Sequence, residues 1–451
     1  MPTECDVIVI GTGPGGEDAA GKLAEAGLDV VAVERSLVGG ECPYWGCIPS
    51  KMLIRAANAL AEARRVPELA GTADVRADFA IAARRIRDEA TDNWDDTVAA
   101  ERLARRGATL VRGTAVITGR GRVRVGDAEY SARRGILLNT GTSAAVPPID
   151  GLAETPYWTN HGILESDDLP ESLIVIGGGA IGLELAQAYA RFGTQVTVLE
   201  AAPRILGPEE PESSALLATV FEREGIDVRT GAAVSAVAHD GNEFAVTVSG
   251  EVVYAQRLLV ASGRTPNIGD IGLDTLGIDE SARSIDTDAQ QRVSDGLWAI
   301  GDITGKGAFT HVSMYQAAIA VRSILGNEGP DGDYRALPRV TFTDPEIGAV
   351  GLTESQAREQ GVRVHTGYTD LTASTRGFLH KVGNEGFIKL VVDADRDVLV
   401  GATSAGPSGG EVLGALAVAV RSEVPVATLA HSLWAYPTFH RAIETAVADL
   451  T

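Results

Sequence analysis

Cysteine is scarce in this chain, with three in 451 residues. That count is odd and too small for a secreted disulfide framework. It is also too small for a cysteine-built metal centre, because a close pair needs two further ligands and Cys5 lies inside a strand pattern. Long hydrophobic runs are absent: none approaches the ~18 residues that a bilayer span requires. No basic leader or cleavage signal precedes the first strand pattern at Cys5-Asp6-Val7, so a cytoplasmic protein with no membrane partner is expected. Positive charge is the minority, 39 Lys and Arg against 61 Asp and Glu, for a net charge of −22. Such a surface repels nucleic acid, which is not expected as a partner. Solenoid periods and low-complexity tails are missing as well.

Glycine is abundant, with 52 residues, and 45% of the chain is hydrophobic. The length suits roughly two to four domains. The glycines gather in two similar segments, VIVIGTGPGG (Val7 to Gly16) and LIVIGGGAIG (Leu173 to Gly182). In each, an apolar run precedes G-x-G-x-x-G, an Ala-rich helical stretch follows, and a second apolar run ends in an acid, Glu34 or Glu200. This is the pattern of a dinucleotide-binding β-α-β unit. Gly11 and Gly177 allow the turn after the strand, Gly13 and Gly179 let backbone approach a pyrophosphate, and Gly16 and Gly182 allow close helix packing. The helix N-termini face the phosphates. An acid at Glu200 accepts from a ribose 2′-hydroxyl and repels a 2′-phosphate, which favours NADH, while nearby Arg204 could meet a phosphate and favour NADPH.

Strand and helix patterns alternate over the first two-thirds, which predicts α/β domains. Helices are expected over 50–65 and, as one long charged element, over 77–106. Short strands are expected over 109–146, then at 226–230, 244–248 and 252–260. A helical run, YQAAIAVRSIL, lies within 284–326. Pro147-Pro148 and the polar stretch 327–338 read as boundaries. Two or three strands (VTFT, FIKLVV) and Ala-rich helices fill 339–451, an α+β domain with an apolar surface suited to a second copy.

Between the fingerprints lies GGECPYWGCIPSK (Gly39 to Lys51). Positions five apart diverge by ~140° on a regular helix, so a Cys42–Cys47 bond requires distortion. Pro43, Gly46 and Pro49 supply it. A close pair in a reducing compartment reads as redox-active. A position near a helix start is expected to lower the thiol pKa values.

Gly39-Gly40-Glu41-Cys42 and Gly46-Cys47-Ile48-Pro49-Ser50-Lys51 resemble the active-site signature of the class I pyridine nucleotide-disulfide oxidoreductases, which include dihydrolipoyl dehydrogenase, glutathione reductase and mercuric reductase. Thr140-Gly141-Thr142 resembles the family's A-T-G turn on FAD. Ala261 to Asn267 resembles A-T-G-R-x-P-N, and Ala299-Ile300-Gly301-Asp302 the segment whose Asp binds the ribityl chain. Phe342 to Glu346 resembles the start of the dimerisation domain.

The resemblance implies a glutathione reductase-like fold with two Rossmann-like domains and an α+β dimerisation domain. The expected boundaries are 1–146, completed by 268–335, for FAD; 147–267 for NAD(P)H; and 336–451 for a homodimer interface. It implies cofactor contacts from Gly11, Gly13, Gly15, Gly16, Glu34, Arg35, Gly40, Lys51, Thr140, Gly141, Gly301 and Asp302, and from Gly177, Gly179, Gly182, Glu200 and Gly263. Hydride is expected to pass from NADH or NADPH, near Glu184, to FAD. Lys51, paired to Glu184, steadies charge on the reduced ring. Cys47 is the implied charge-transfer thiolate, and Cys42 the outer thiol that meets a small-molecule acceptor.

The pattern departs from the family at its acceptor end. Family disulfide reducers carry H-P-T-x-x-E, whose His shuttles protons to the outer thiol from the partner subunit. Here Tyr436-Pro437-Thr438-Phe439-His440-Arg441 stands in its place. Tyrosine, with a reference pKa of ~10, is a poor shuttle near neutrality, and His440 is the alternative acid/base. Mercuric reductases carry a Tyr there, but this chain lacks their C-terminal cysteine pair and N-terminal metal-carrier domain. Tyr44 and Trp45 are bulkier than the family's usual residues between the cysteines, and either reshape the acceptor pocket or pack internally. The expected acceptor is a disulfide or a soft metal. A quinone, enone or oxygen reduced directly from flavin is the alternative. A non-catalytic redox sensor binding FAD and NADH is the rival class.

Overall fold

The computed structural model describes residues 1–450 and divides into two compact units. The first comprises Met1–Ser50, Arg84–Ala145 and Arg264–Asp333; the second comprises Lys51–Ala83, Val146–Gly263 and Tyr334–Thr451. Residues 51–83, which the sequence reading places with the FAD segment, thus pack in the second unit.

The first unit is built on a sheet whose strands run in the order Arg292–Ser294, Leu297–Ala299, Ala128–Leu138, Thr3–Ile10, Val30–Glu34 and Thr109–Arg112. The central pairings are parallel. Parallel strands are covered on both faces, which is why Val30–Glu34 is buried at every position. One face packs Ala19, Ala20, Leu23 and Ala320, from helices Pro14–Glu25 and Thr310–Leu325, against Val7 and Val9. The other buries Ile8 and Ile10 with Ile117, Val123 and Leu273. Each of the Val, Leu and Ile side chains among these contributes about 1.5–3 kcal/mol when fully buried.

The second unit repeats the β-α-β plan. Strand Ser172–Ile176, helix Ala180–Phe192 and strand Gln195–Leu199 belong to a parallel sheet completed by Asp227–Arg229 and Arg257–Val260. A three-stranded antiparallel sheet carries Val234–His239, Phe244–Val248 and Glu251–Ala255. The C-terminal part has five antiparallel strands: Pro338–Thr341, Glu346–Gly351, Val364–Asp370, Phe387–Asp393 and Val398–Gly406. Helices Gly409–Arg421 and Ala442–Ala448 cover one side of this sheet through Leu413, Leu416 and Ile443.

Three expectations change. The helix expected over 50–65 runs from Cys47 to Leu69. The long helix expected over 77–106 is broken into Phe79–Arg85, a π turn Ile86–Ala90 and Thr97–Arg105. Asp92, Asn93 and Trp94 all adopt positive φ there. The break is tied down by Thr91, whose hydroxyl donates to the Ile86 carbonyl, and by Trp94, whose Nε1 donates to the Tyr44 carbonyl. Strands Glu346–Gly351, Val364–Asp370 and Val398–Gly406 exceed the two or three expected after residue 339, and Val234–His239 was likewise not foreseen. Among the described residues no helix is long and apolar enough to cross a membrane.

Candidate active site

Gly11 (φ +89°) and Gly177 (φ +112°) occupy equivalent turns. A Cβ at Gly11 would collide with the Asn139 carbonyl, and one at Gly177 with the Ala261 carbonyl. One turn later, a Cβ at Gly16 or Gly182 would strike the carbonyl of Gly11 or Gly177. The sequence pattern therefore encodes the same local packing twice. The following helices, of 12 and 13 residues, start at Gly13 and Gly179 with no side-chain cap. Their first N–H groups remain available to an anion.

Glu34 and Glu200 act inward as well as outward. Thr12 donates both its N–H (2.7 Å) and its hydroxyl (2.8 Å) to Glu34 Oε2, and Ser36 N–H donates to Oε1 (2.8 Å). In the second unit, Gly178 N–H donates to Glu200 Oε2 (2.6 Å) and Ala202 N–H to Oε1 (2.7 Å). Each carboxylate thus shapes its own glycine loop and keeps lone pairs for a ribose. Arg204 is not a loose surface cation. It donates to the Leu206 and Gly207 carbonyls and to Ser214 Oγ.

Further parts of the first loop come from distant segments. Asn139 Nδ2 donates to the Gly11 carbonyl (3.4 Å), and Ser313 Oγ donates to Asn139 Oδ1 (3.1 Å). Backbone at Gly15 lies against Ser313, and backbone at Gly40 against Gly13. Gly301 N–H donates to Gln316 Oε1 (2.6 Å). Asp302 accepts from the Thr142 hydroxyl (2.7 Å), which accepts in turn from Arg264 (2.6 Å). Asn267 holds Thr140 and Gly141 by their carbonyls. Arg35 is exposed beside Glu34.

Each loop fits a dinucleotide of its own. In the first unit space is open before Gly141 and the buried Thr140 hydroxyl has no partner within the protein; in the second, space is open before Gly179 and Gly263. Asn139, Ser313 and Gln316 carried no sequence signal, since only the fold brings the first two to the glycine loop and Gln316 to Gly301.

Helix Cys47–Leu69 begins at the second thiol, with Lys51 one turn along. Cys42 is half-buried and Cys47 exposed, both as thiols. Exposure alone therefore does not make Cys42 the outer sulfur. Thr310 Oγ1 lies 3.4 Å from Cys47 Sγ. The Cys42 thiol is pushed up, first by its hydrogen bond to Cys47 and then by burial, with Thr310 opposing. This overturns the expected lowering at Cys42: its helix, Glu41–Tyr44, has four residues, and the neighbouring sulfur outweighs so short a dipole. Tyr44 is buried, and burial followed by Asp96 pushes its phenol up to about 12. It is internal packing, while Trp45 is half-buried.

Lys51 Nζ donates to Glu184 Oε2 at 2.6 Å, and Glu184 is 4% exposed. The other carboxylate oxygen accepts from Phe342 N–H at 2.8 Å. The Phe342 ring lies 4.8 Å from Nζ.

Tyr436 is 67% exposed, with its hydroxyl 3.4 Å from Thr375 Oγ1 and the Arg441 guanidinium over its ring. His440 lies in the single turn Phe439–Arg441, half-buried. Among the described residues no three His, Cys, Asp or Glu side chains are grouped to hold a metal ion.

Comparison with known proteins agrees with this geometry. The family described as pyridine nucleotide-disulphide oxidoreductase matches residues 5–320, and that family's dimerisation domain matches 337–447. A dihydrolipoyl dehydrogenase of Chlorobaculum tepidum is 36% identical over all of this chain and 97% of its own. A mercuric reductase of Shigella flexneri is 34% identical over 98% of this chain and 80% of its own. Among solved structures, a Cu(II) complex of the HOCl-induced flavoprotein disulfide reductase RclA from Escherichia coli superposes with a TM-score of 0.87 at 28% identity, covering 99% of both chains. LpdA from Mycobacterium tuberculosis does so at 0.86 and 26%, also over 99% of both.

Proposed function

Since this chain belongs to the pyridine nucleotide-disulphide oxidoreductase family, an FAD- and NAD(P)H-dependent group of enzymes, we propose that it passes electrons from NADH through the Cys42–Cys47 couple to a soft-metal ion, with a disulfide as the second acceptor class. Bound FAD supplies the hydride acceptor that links the nicotinamide to the thiols. The observation that carries the reading is the sulfur pair: Cys42 hydrogen-bonds to Cys47, and Thr310 Oγ1 lies beside Cys47.

We assign Cys47, beside Thr310, as the charge-transfer thiolate and Cys42 as the sulfur that engages the acceptor; because only a thiolate binds a soft metal or attacks a disulfide, Cys42, whose thiol is pushed up, gives up its proton as the acceptor binds. Lys51 holds positive charge one helical turn from Cys47, and Glu184 orients it. Glu200 favours NADH: it accepts a ribose hydroxyl and repels a 2′-phosphate, and Arg204, occupied by its own loop, does not offset that.

Tyr436 in place of a proton-shuttling His favours a metal acceptor. Cleaving a disulfide requires protonation of a leaving thiolate, whereas reducing a metal ion does not. Oxidation of the dithiol to a disulfide releases two electrons and two protons, which reduces one mercuric ion to the metal or two cupric ions to cuprous. The mercuric reductase relatives and the Cu(II)-bound structural relative support this class. The exposed Tyr436 and half-buried His440 are proposed to complete the acceptor site in a homodimer.

The test is an acceptor panel of cupric and mercuric ions, lipoamide, glutathione disulfide, quinones and enones, each with NADH and NADPH. We expect Cys42→Ser to lose at least roughly a hundredfold in metal-dependent NADH oxidation. Equal rates for both proteins would move the activity from sulfur to flavin. No turnover with any acceptor would favour a redox sensor.

A further inference from the structure

Lys51 has two partners in this structure, and the sequence pattern points to only one. Glu184 Oε2 accepts a hydrogen bond from its Nζ at 2.6 Å. The second partner is the Phe342 ring, 4.8 Å from Nζ. Phe342 also donates its backbone N–H to Glu184 Oε1 at 2.8 Å. One residue therefore touches both halves of the ion pair, giving the carboxylate a hydrogen bond and the ammonium a π face.

Phe342 is itself fixed. Two residues on, Asp344 N–H donates to Gln187 Oε1 and Gln187 Nε2 donates to the Asp344 carbonyl, both at 2.8 Å. The Asp344 carboxylate lies between Arg191 (2.9 Å) and Arg65 (2.8 Å). Glu184, Gln187 and Arg191 fall on one face of helix Ala180–Phe192, at spacings of three and four. Lys51, Asn58 and Arg65 fall on one face of helix Cys47–Leu69, seven apart, and Asn58 accepts from Arg191 (2.6 Å). The segment 342–344 is thus laced to two helices, and its first residue ends at Lys51.

We infer that Phe342 is a positioning residue for Lys51: its ring and N–H hold the ammonium in one orientation against Glu184, so the segment that opens the dimerisation sequence sets the cation of the redox site. The ring quadrupole favours the charged amine, and the N–H keeps the Glu184 carboxylate from rotating away. This rests on the reading of Lys51 as the cation that steadies the reduced cofactor.

The test compares wild type with Phe342→Leu, which keeps the N–H and loses the ring, and with Phe342→Tyr, which keeps both. Purified protein is pulse-labelled with acetic anhydride, and each lysine is quantified by peptide mass spectrometry. Lys51 in Phe342→Leu should acylate roughly two- to fivefold faster than in wild type. Phe342→Tyr should match wild type, and Lys22 and Lys389 should label alike in all three. In FAD-loaded protein the flavin midpoint potential should fall in Phe342→Leu and return in Phe342→Tyr. Should Phe342→Leu fail to fold, Phe342→Met, similar in volume and flexible, takes its place.

Equal Lys51 labelling in all variants would overturn the inference, even with NADH reduction intact. Equal acceleration in Leu and Tyr variants would overturn it too, because packing rather than the ring would then be responsible. A protein that binds no FAD would instead sink the proposed function, while labelling of the flavin-free protein still decides the contact.

Discussion

The Cys42 thiol holds its proton more firmly than an ordinary cysteine. Because the bond to Cys47 and burial push Cys42 up, its thiolate fraction near neutrality is small. Iodoacetamide at pH 7 should therefore alkylate Cys47 first in the reduced protein, as peptide mass spectrometry would show. Thr310→Val should widen that preference, because the hydroxyl that opposes the rise at Cys42 is removed. In FAD-loaded protein, two-electron reduction should give a long-wavelength thiolate–flavin band that Cys47→Ser abolishes. A band surviving that substitution would reassign the charge-transfer sulfur. The closeness of the cysteines was legible in their spacing, and the Lys51–Glu184 pair was implied by the family resemblance rather than by any spacing, since it joins residues 133 positions apart. Thr310 and Phe342 were not legible, because their contacts span 263 residues to Cys47 and 158 to Glu184. No periodicity reports a contact of that range.

Among elements, the two β-α-β units were readable because each turn needs glycine where a Cβ would strike a carbonyl. The stretch 77–106 was misread for the opposite reason. Its composition suits a helix, yet Asp92 to Trp94 leave helical φ to form tertiary contacts that propensity does not encode. A second illegible feature is Lys389 on strand Phe387–Asp393. Its side chain is 7% exposed and meets Glu210 (3.0 Å), Glu212 (2.7 Å) and Glu354 (3.0 Å). Burial pushes Lys389 down, but the three carboxylates reverse this and hold it above its usual value. Lys389→Met leaves the buried Glu210 without its cation, while Glu354 keeps Arg358, and should cost about 3–5 kcal/mol in urea unfolding. Asp344 shows the acid counterpart. Burial pushes it up, but Arg191 and Arg65 more than offset that and hold it below its ordinary 3.8. Its contribution is complete above that value and disappears as pH falls through the lowered one. Asp344→Asn should accordingly flatten the acid limb of a stability–pH profile.

On the scale of the whole molecule, the C-terminal sequence leaves large side chains in solvent: Phe378, Val418, Leu433 and Tyr436. These residues lie within the match to the family's dimerisation domain, which makes them the candidates for contact with a second copy. Leu433→Asp should shift the protein from dimer to monomer, measured by light scattering on a sizing column, and should lower acceptor turnover in parallel if Tyr436 acts in the dimer. Both halves of the chain also share a device whose effect reaches beyond ligand choice. Glu34 and Glu200 fasten the loops they serve, through Thr12 and Ser36 in one case and Gly178 and Ala202 in the other. A change at Glu200 is therefore never a change of one surface charge alone. A redesign that trades Glu200 for a phosphate-binding residue, to test its proposed part in coenzyme choice, would also unfasten the Gly178 turn and calls for a substitute acceptor there before any new cation is introduced.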